Sequence, residues 1–258
     1  MTTALSRTRK NKIFNEDCVR TLKRIGDNCV DLVVTSPPYN MNLRIRNGKY
    51  LSRDITTRSD KSFSAKYEEF TDNLPIEEYY KLHSNILREL IRVGGLVFYN
   101  ISIVTGSKRA FFKMIGEFSD YLKDIIVWDK GYGQPAMHEQ VINRRSELIL
   151  VFEKDYPISR QFRKQGYFDR GELEDVWEIK RPKKNYWSNS ATFPEELVEK
   201  ILENFSVADD TIYDPFMGTG TTGVVAKRMG RNYVGSEIDP KLIDIANDRL
   251  AQENLWKD

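Results

Sequence analysis

A run of small residues near the end of the chain separates an apolar segment from a helix-like one: Tyr213-Asp214-Pro215-Phe216-Met217-Gly218-Thr219-Gly220-Thr221-Thr222-Gly223. Gly218, Gly220 and Gly223 fit the G-x-G-x-x-G spacing, which lets backbone turn sharply or approach a ligand with no Cβ in the way. Glu237 follows Gly218 by 19 residues and ends the next predicted strand, where a carboxylate can accept both hydroxyl protons of a ribose. Loop and acid together point to an adenosine-containing cofactor. The glycines alone would equally serve a plain strand-to-helix connection. The same spacing also suits a nicotinamide dinucleotide, but only about twenty residues follow Glu237, so the rest of a dinucleotide fold would have to come from upstream. A one-nucleoside cofactor fits more easily. Asp214, just before the glycines, is a carboxylate available to a cationic amine and, equally, an ordinary turn former.

The second feature lies near the other end. Val30 to Val34 (VDLVV) is short and rich in β-branched residues, and Ser36-Pro37-Pro38 stops it, so it reads as a buried strand ending in a rigid loop. The two prolines restrict the backbone, which presents Ser36 and Tyr39 in fixed orientation. Such a loop suits a flat nucleobase with an exocyclic amine: Tyr39 stacks on the ring, while Ser36 and the Pro37 carbonyl accept the amine hydrogens. The bland alternative is a Pro-rich strand terminator with a core tyrosine.

Between these features the chain alternates. Helical spacing over Pro75 to Arg92 ends at Gly94-Gly95, and strand-like Leu96 to Tyr99 follows. Helices are predicted over Lys108 to Phe118, after Phe193-Pro194, over Thr221 to Met229 and from Pro240, with strands over Asp124 to Trp128, Glu147 to Phe152, Thr211 to Tyr213 and Asn232 to Ser236. This rhythm predicts a single α/β domain over residues 1–258 with a mostly parallel, three-layer sheet. Two segments depart from it. Asn40 to Lys66 carries seven basic residues against Asp54 and Asp60, and residues 40–70 are expected to form a mobile basic loop. Residues 153–187 are polar, aromatic and basic, and form the best candidate for an inserted target-recognition segment. Net charge is only +2 over 258 residues, so a basic face must come from such clustering, with Arg7, Arg9, Lys10 and Lys12 as a third contributor. Two cysteines, Cys18 and Cys29, exclude a Cys-only four-ligand metal site, and two histidines leave little for a mixed one; no metal is expected. No apolar run approaches the roughly 20 residues that span a bilayer, and the start (MTTALSRTRKNK) lacks the apolar stretch of a secretory signal. A cytoplasmic protein without membrane contact is the expectation.

Thr35 to Tyr39 and Asp214 to Gly220 give the chain a family resemblance. The sequence resembles the amino-group DNA methyltransferases, which carry a (Asp/Asn/Ser)-Pro-Pro-Tyr motif and an Asp-Pro-Phe-x-Gly-x-Gly motif. With the Pro-Pro-Tyr motif first, the order is similar to that family's β group. Further similarity lies in Phe14 to Cys18, Gly94 to Val97, Glu147 to Phe152, Asp175 to Trp177 and Phe193 to Val198, so the resemblance covers most of the chain. It implies a Rossmann-like fold, S-adenosyl-L-methionine as cofactor and DNA as partner. It also leaves a cognate restriction endonuclease and a homodimer as expectations.

Carried over residue by residue, the resemblance makes Ser36, Pro37, Pro38 and Tyr39 catalytic. It places Asp214, Phe216, Gly218 and Gly220 around the cofactor, Glu237 on the ribose, Asp17 with Cys18 beside the adenine, and Phe193 with Pro194 against the methionine portion. Many relatives have a His shortly before that Phe-Pro, whereas here the residues are Ser188 to Thr192. Serine at the head of the Pro-Pro-Tyr motif is, by resemblance, commoner among N4-cytosine enzymes, and aspartate among N6-adenine enzymes. A neutral hydroxyl accepts from either amine, so cytosine is favoured with adenine left open. An RNA methyltransferase, a nicotinamide oxidoreductase and a non-catalytic DNA-binding module remain as alternatives of other kinds.

Overall fold

The computed structural model describes residues 10–41, 43–46, 49–52, 73–133, 139–181 and 194–252. Ten strands are described: β1 (Lys12–Asn15), β2 (Val30–Thr35), β3 (Leu43–Arg46), β4 (Lys49–Ser52), β5 (Gly94–Ile101), β6 (Leu122–Asp129), β7 (Ser146–Glu153), β8 (Val176–Glu178), β9 (Thr211–Asp214) and β10 (Asn232–Glu237). The α-helices are α1 (Cys18–Leu22), α2 (Ile76–Val93), α3 (Lys108–Glu117), α4 (Glu195–Phe205), α5 (Thr221–Arg228) and α6 (Pro240–Gln252).

Eight strands make one sheet in the order β1-β10-β9-β2-β5-β7-β6-β8. The first five run parallel, and β7 lies antiparallel between β5 and β6. Strand β2 shows why both faces must be covered: apart from Asp31, every residue of VDLVVT is buried, as in parallel sheets with helices on either side. One face carries a core of α1, α2 and α3 side chains around Val33, Val97 and Tyr99. The other carries α4 and α5 side chains and Trp177 around Leu32, Phe98 and Val151. The result is the predicted three-layer, mostly parallel Rossmann-like arrangement. Truncating a residue as buried as Leu32, which has no exposed surface, would cost about 2–5 kcal/mol.

The predicted helices and strands are present, each within a few residues of its expected bounds. Strands β1 and β8, helix α1 and the hairpin are additions. Over 43–52 the basic stretch forms an antiparallel pair, Leu43↔Ser52 to Arg46↔Lys49, and residues 53–70 lie outside the described residues. Segment 153–187 divides in two. Its first half follows the amino-terminal edge of the sheet: the Gln165 side chain donates to the Asp31 carbonyl at the start of β2, and Phe162 and Phe168 pack on Phe205. Strand β8 then pairs parallel with β6 and carries Lys180 and Arg181 to the carboxyl-terminal edge, while residues 182–187 lie outside the described residues. Among the described residues no helix is long and apolar enough to cross a membrane, and no cluster of three or more His, Cys, Asp or Glu could hold a metal ion.

Candidate active site

Connections leave the sheet in opposite directions from β9 and β2: β9 leads through α5 to β10, β2 through α2 to β5. A crevice opens at the carboxyl ends of such neighbouring strands, where open α/β sheets bind ligands. Here it is a cavity with an open mouth, lined from both motif loops and from α1 and α2.

Its floor is the glycine loop. Gly218 takes φ +53° and Gly220 φ +83°, a region other residues enter only at a cost. A Cβ at Gly220 would also stand 2.7 Å from Ala246 Cβ. Gly220 therefore serves the close approach of α6 to the loop and stands behind the cavity wall, whereas Asp214, Phe216 and Gly218 line it. Asp214 is 3 % exposed and its carboxylate is held from three sides. Thr35 donates to Oδ1 at 2.8 Å, the Phe216 N–H to the same oxygen at 3.0 Å, and Thr222 to Oδ2 at 2.7 Å. Burial pushes its pKa up from 3.8 to about 6, against the lowering effect of those donors. The Thr35 bond joins the residue before Ser36 to the residue before the glycines, so both motif loops open on one cavity.

Glu237 forms the far end. Its Oε2 accepts from the Gly218 N–H at 2.8 Å and Oε1 from the Asp239 N–H at 2.9 Å, which fixes the carboxylate plane and leaves further lone pairs for ribose hydroxyls. Burial raises its pKa, opposed by these backbone donors. Asp17 caps α1 by accepting from the Val19 N–H at 2.7 Å, and Cys18 follows it; both line the cavity. Burial drives the Cys18 thiol far above its ordinary range, so it is a packing group and not a thiolate nucleophile.

Ser36 and Pro38 line the cavity on the β2 side. Tyr39 turns its hydroxyl into a polar network that the sequence did not reveal. Its Oη lies 2.6 Å from Ser36 Oγ, accepts from Asn100 Nδ2 at 2.6 Å and faces Glu147 Oε2 at 3.1 Å. Asn100 also donates to Glu147 at 2.8 Å, and Lys130 Nζ reaches the other Glu147 oxygen at 3.1 Å. Burial lowers the Lys130 pKa, with Glu147 pulling it back up. Pro37 and Tyr39 do not line the cavity itself. Pro194 caps α4 away from the cavity lining, and Phe193 lies outside the described residues. The legible signal for Asn100 and Glu147 was a polar residue at the end of an otherwise apolar strand; only the pairing of β5 with β7 brings them together.

A model of the DNA methylase family, covering N6 and N4 enzymes, matches residues 30–248. The chain belongs to this family. It is 28% identical over 94% of its length to the Type II methyltransferase M.BglII of Bacillus subtilis, covering 69% of that protein. Against the Type II methyltransferase M.MjaI of Methanocaldococcus jannaschii it is 28% identical, covering 95% of this chain and 92% of the relative. Two solved structures share the fold. The DNA modification methylase TTHA0409 of Thermus thermophilus, complexed with S-adenosyl-L-methionine, superposes with TM-score 0.62 at 23% identity over 93% of this chain and 95% of that one. The PvuII DNA methyltransferase, titled cytosine-N4-specific, does so with TM-score 0.64 at 17% identity over 95% and 94%.

Proposed function

We propose that this DNA methylase moves the methyl group of S-adenosylmethionine to the exocyclic amine of a base flipped out of DNA, with N4 of cytosine as the target. The Thr35–Asp214 hydrogen bond carries the reading, because it sets the Pro-Pro-Tyr loop and the glycine loop on one cavity. Family membership supports DNA as substrate. Ser36, in place of an aspartate, supports cytosine.

The residues present fit the cofactor: Glu237 would hold the ribose hydroxyls, Asp17 and Cys18 would flank the base, and Asp214 with the Gly218 turn would face the amino-acid portion. When bound, that cofactor supplies a methyl carbon made electrophilic by the adjoining sulfonium. The chain supplies geometry and hydrogen-bond direction. Glu147 can only accept from Tyr39, so the Tyr39 O–H donates to it; Tyr39 Oη then accepts from Ser36 and from Asn100. The Ser36 hydrogen is thereby committed to Tyr39, and Ser36 Oγ, which also accepts from Asn100 Nδ2 at 3.4 Å, keeps a lone pair for the cavity. Ser36 becomes an obligate acceptor for an amine hydrogen, and with the Pro37 carbonyl it favours the pyramidal nitrogen that develops at attack. Once methylated, the amine nitrogen would shed one proton, for which Ser36 and Tyr39 would provide a route to Glu147. Lys180 and Arg181 at the same edge are the described candidates for phosphate contact. The Type II designation of the relatives supports an endonuclease of the same recognition sequence as partner; a homodimer is proposed on the family resemblance and a cytoplasmic setting on the sequence.

The test is to incubate the protein with mixed-sequence duplex DNA and methyl-labelled S-adenosylmethionine, digest to nucleosides and identify the labelled one by mass spectrometry. N4-methylcytosine is the expected product. N6-methyladenine would keep the reaction and overturn the base, whereas no labelled nucleoside despite bound cofactor would overturn DNA as the substrate.

A further inference from the structure

His83 lies on α2, and no part of the chemistry above uses it. It is 1 % exposed, and with Leu82 and Ile86 of the same helix face it lines the cavity opposite the glycine loop. Its ring is fixed by aromatic neighbours, Tyr79 at 4.2 Å and Phe216 at 6.2 Å between centroids. Nδ1 is 2.6 Å from Tyr99 Oη. Nε2 is buried and, among the described residues, has no hydrogen-bond partner.

The tautomer follows from donor accounting. Tyr99 is fully buried, and among the described residues His83 is the partner of its hydroxyl. Were Nδ1 protonated, the Tyr99 hydrogen would be stranded in the core, and buried donors are seldom left so. The Tyr99 O–H therefore donates to Nδ1. Burial holds the imidazole pKa down at about 3, so the ring is neutral at physiological pH and its single proton sits on Nε2. The outcome is one buried N–H, held in place and lacking an acceptor among the described residues, on a residue that lines the cavity.

The surroundings decide which part of the cofactor supplies the acceptor. Leu82, Ile86, Phe216 and the protonated Cys18 give the cavity apolar lining suited to a flat heterocycle, and Asp17, which would flank the base, stands beside Cys18 in the same lining. We propose that His83 is a specificity-determining residue whose Nε2–H donates to a ring nitrogen of the cofactor's purine. This rests on the reading of the cavity as a nucleoside-cofactor site.

The experiment is a binding cycle by calorimetry. Native protein and the His83→Leu variant are each titrated with S-adenosylhomocysteine and with its 1-deaza, 3-deaza and 7-deaza analogues, each of which replaces one ring nitrogen by C–H. A single neutral hydrogen bond is worth roughly fivefold to tenfold in affinity. Native protein should lose about that factor with one analogue. His83→Leu should lose the same factor towards the parent compound and nothing further with that analogue. Penalties that simply multiply in the variant would overturn the proposal, as would parent affinity unchanged by His83→Leu. Should His83→Leu fail to fold, His83→Gln, whose amide retains a donor, takes its place, with partial retention of the analogue preference expected and its absence counting against the proposal. Native protein that binds none of the four compounds would instead overturn the cofactor reading itself.

Discussion

Lys123 with Glu153 and Lys130 with Glu147 are the same two residue types at opposite ends of the β6–β7 pair, Lys123 within β6 and Lys130 just after it. Both pairs are buried, with side chains 0% and 7% exposed at the first and 2% and 9% at the second. They differ in where their spare hydrogen-bonding capacity goes. Lys123, 2.5 Å from Glu153, also donates to the carbonyls of Tyr156 and Gln161, which ties down the loop along the amino-terminal edge. At the carboxyl-terminal edge the spare capacity is on the carboxylate: Glu147 faces Tyr39 and Asn100, with Arg181 at 3.8 Å. A buried ion pair by itself identifies neither a site nor a scaffold. The third and fourth partners do, and here one set is backbone of a loop and the other is the side chains of Tyr39 from the Pro-Pro-Tyr motif and Asn100 from β5.

If that contrast is right, the two pairs respond differently to the loss of one member. Lys123→Met leaves Glu153 uncompensated in the core and should lower unfolding free energy by about 3–5 kcal/mol, read by urea titration, with kcat of the folded protein unchanged. Replacing both members, Lys123→Met with Glu153→Leu, should recover most of the loss. Glu147→Gln should do the reverse. The chain from Ser36 keeps its shape but loses its carboxylate terminus, so kcat should fall about 10–100-fold, equivalent to about 1.4–2.8 kcal/mol, with KM for DNA nearly unchanged and a smaller loss of stability. Equal stability losses with no change in kcat would make the two pairs equivalent and remove Glu147 from the mechanism.

A pH effect of intermediate size separates the same two ends, because Asp214 belongs to the site edge alone. Its folded pKa is raised, to about 6 from 3.8, so its contribution to stability is complete at pH below 3.8 and is lost as pH rises through 6. Binding is expected to run the other way: cofactor affinity should weaken several-fold as pH falls through 6 and the carboxylate facing the cationic amine is neutralised. Calorimetric titrations across pH 5 to 8 test this proposed role of Asp214, and the trend should vanish in Asp214→Asn. The smallest expected effect concerns basic residues of segment 153–187. Lys180→Ala, at the carboxyl-terminal edge, should raise KM for DNA a few-fold and flatten its salt dependence. Lys164→Ala should change neither, since Lys164 pairs with Asp155 on the surface of the loop at the other edge. Equal effects would mean that DNA reaches both edges.

Local patterns made most of the architecture legible in advance. A β-branched run stopped by Ser36-Pro37-Pro38, helical spacing stopped by Gly94, and small residues at Gly218 and Gly220 are properties of a few consecutive residues. Each acts through backbone sterics or through the period of a helix or strand. Strands β1 and β8 were not legible, being four and three residues long and stabilised by pairing with β10 and β6 rather than by any pattern of their own.

Eight of the thirteen residues expected at the site line one cavity in the structure, since motif residues at strand ends are carried to the same edge by a parallel sheet. Their partners were illegible. Thr35 meets Asp214 across 179 residues, and Tyr39 meets Glu147 across 108; no local pattern encodes such a meeting. The unmatched nitrogen of His83 is likewise visible only once α2 is packed over Tyr99. The amino-acid order thus determined which segments become strands, helices and tight loops, because those depend on neighbours in the chain. Tertiary structure alone decided which groups surround Tyr39, which lysine–glutamate pair meets the Pro-Pro-Tyr motif and that His83 lines the cavity, because hydrogen bonding and burial depend on neighbours in space.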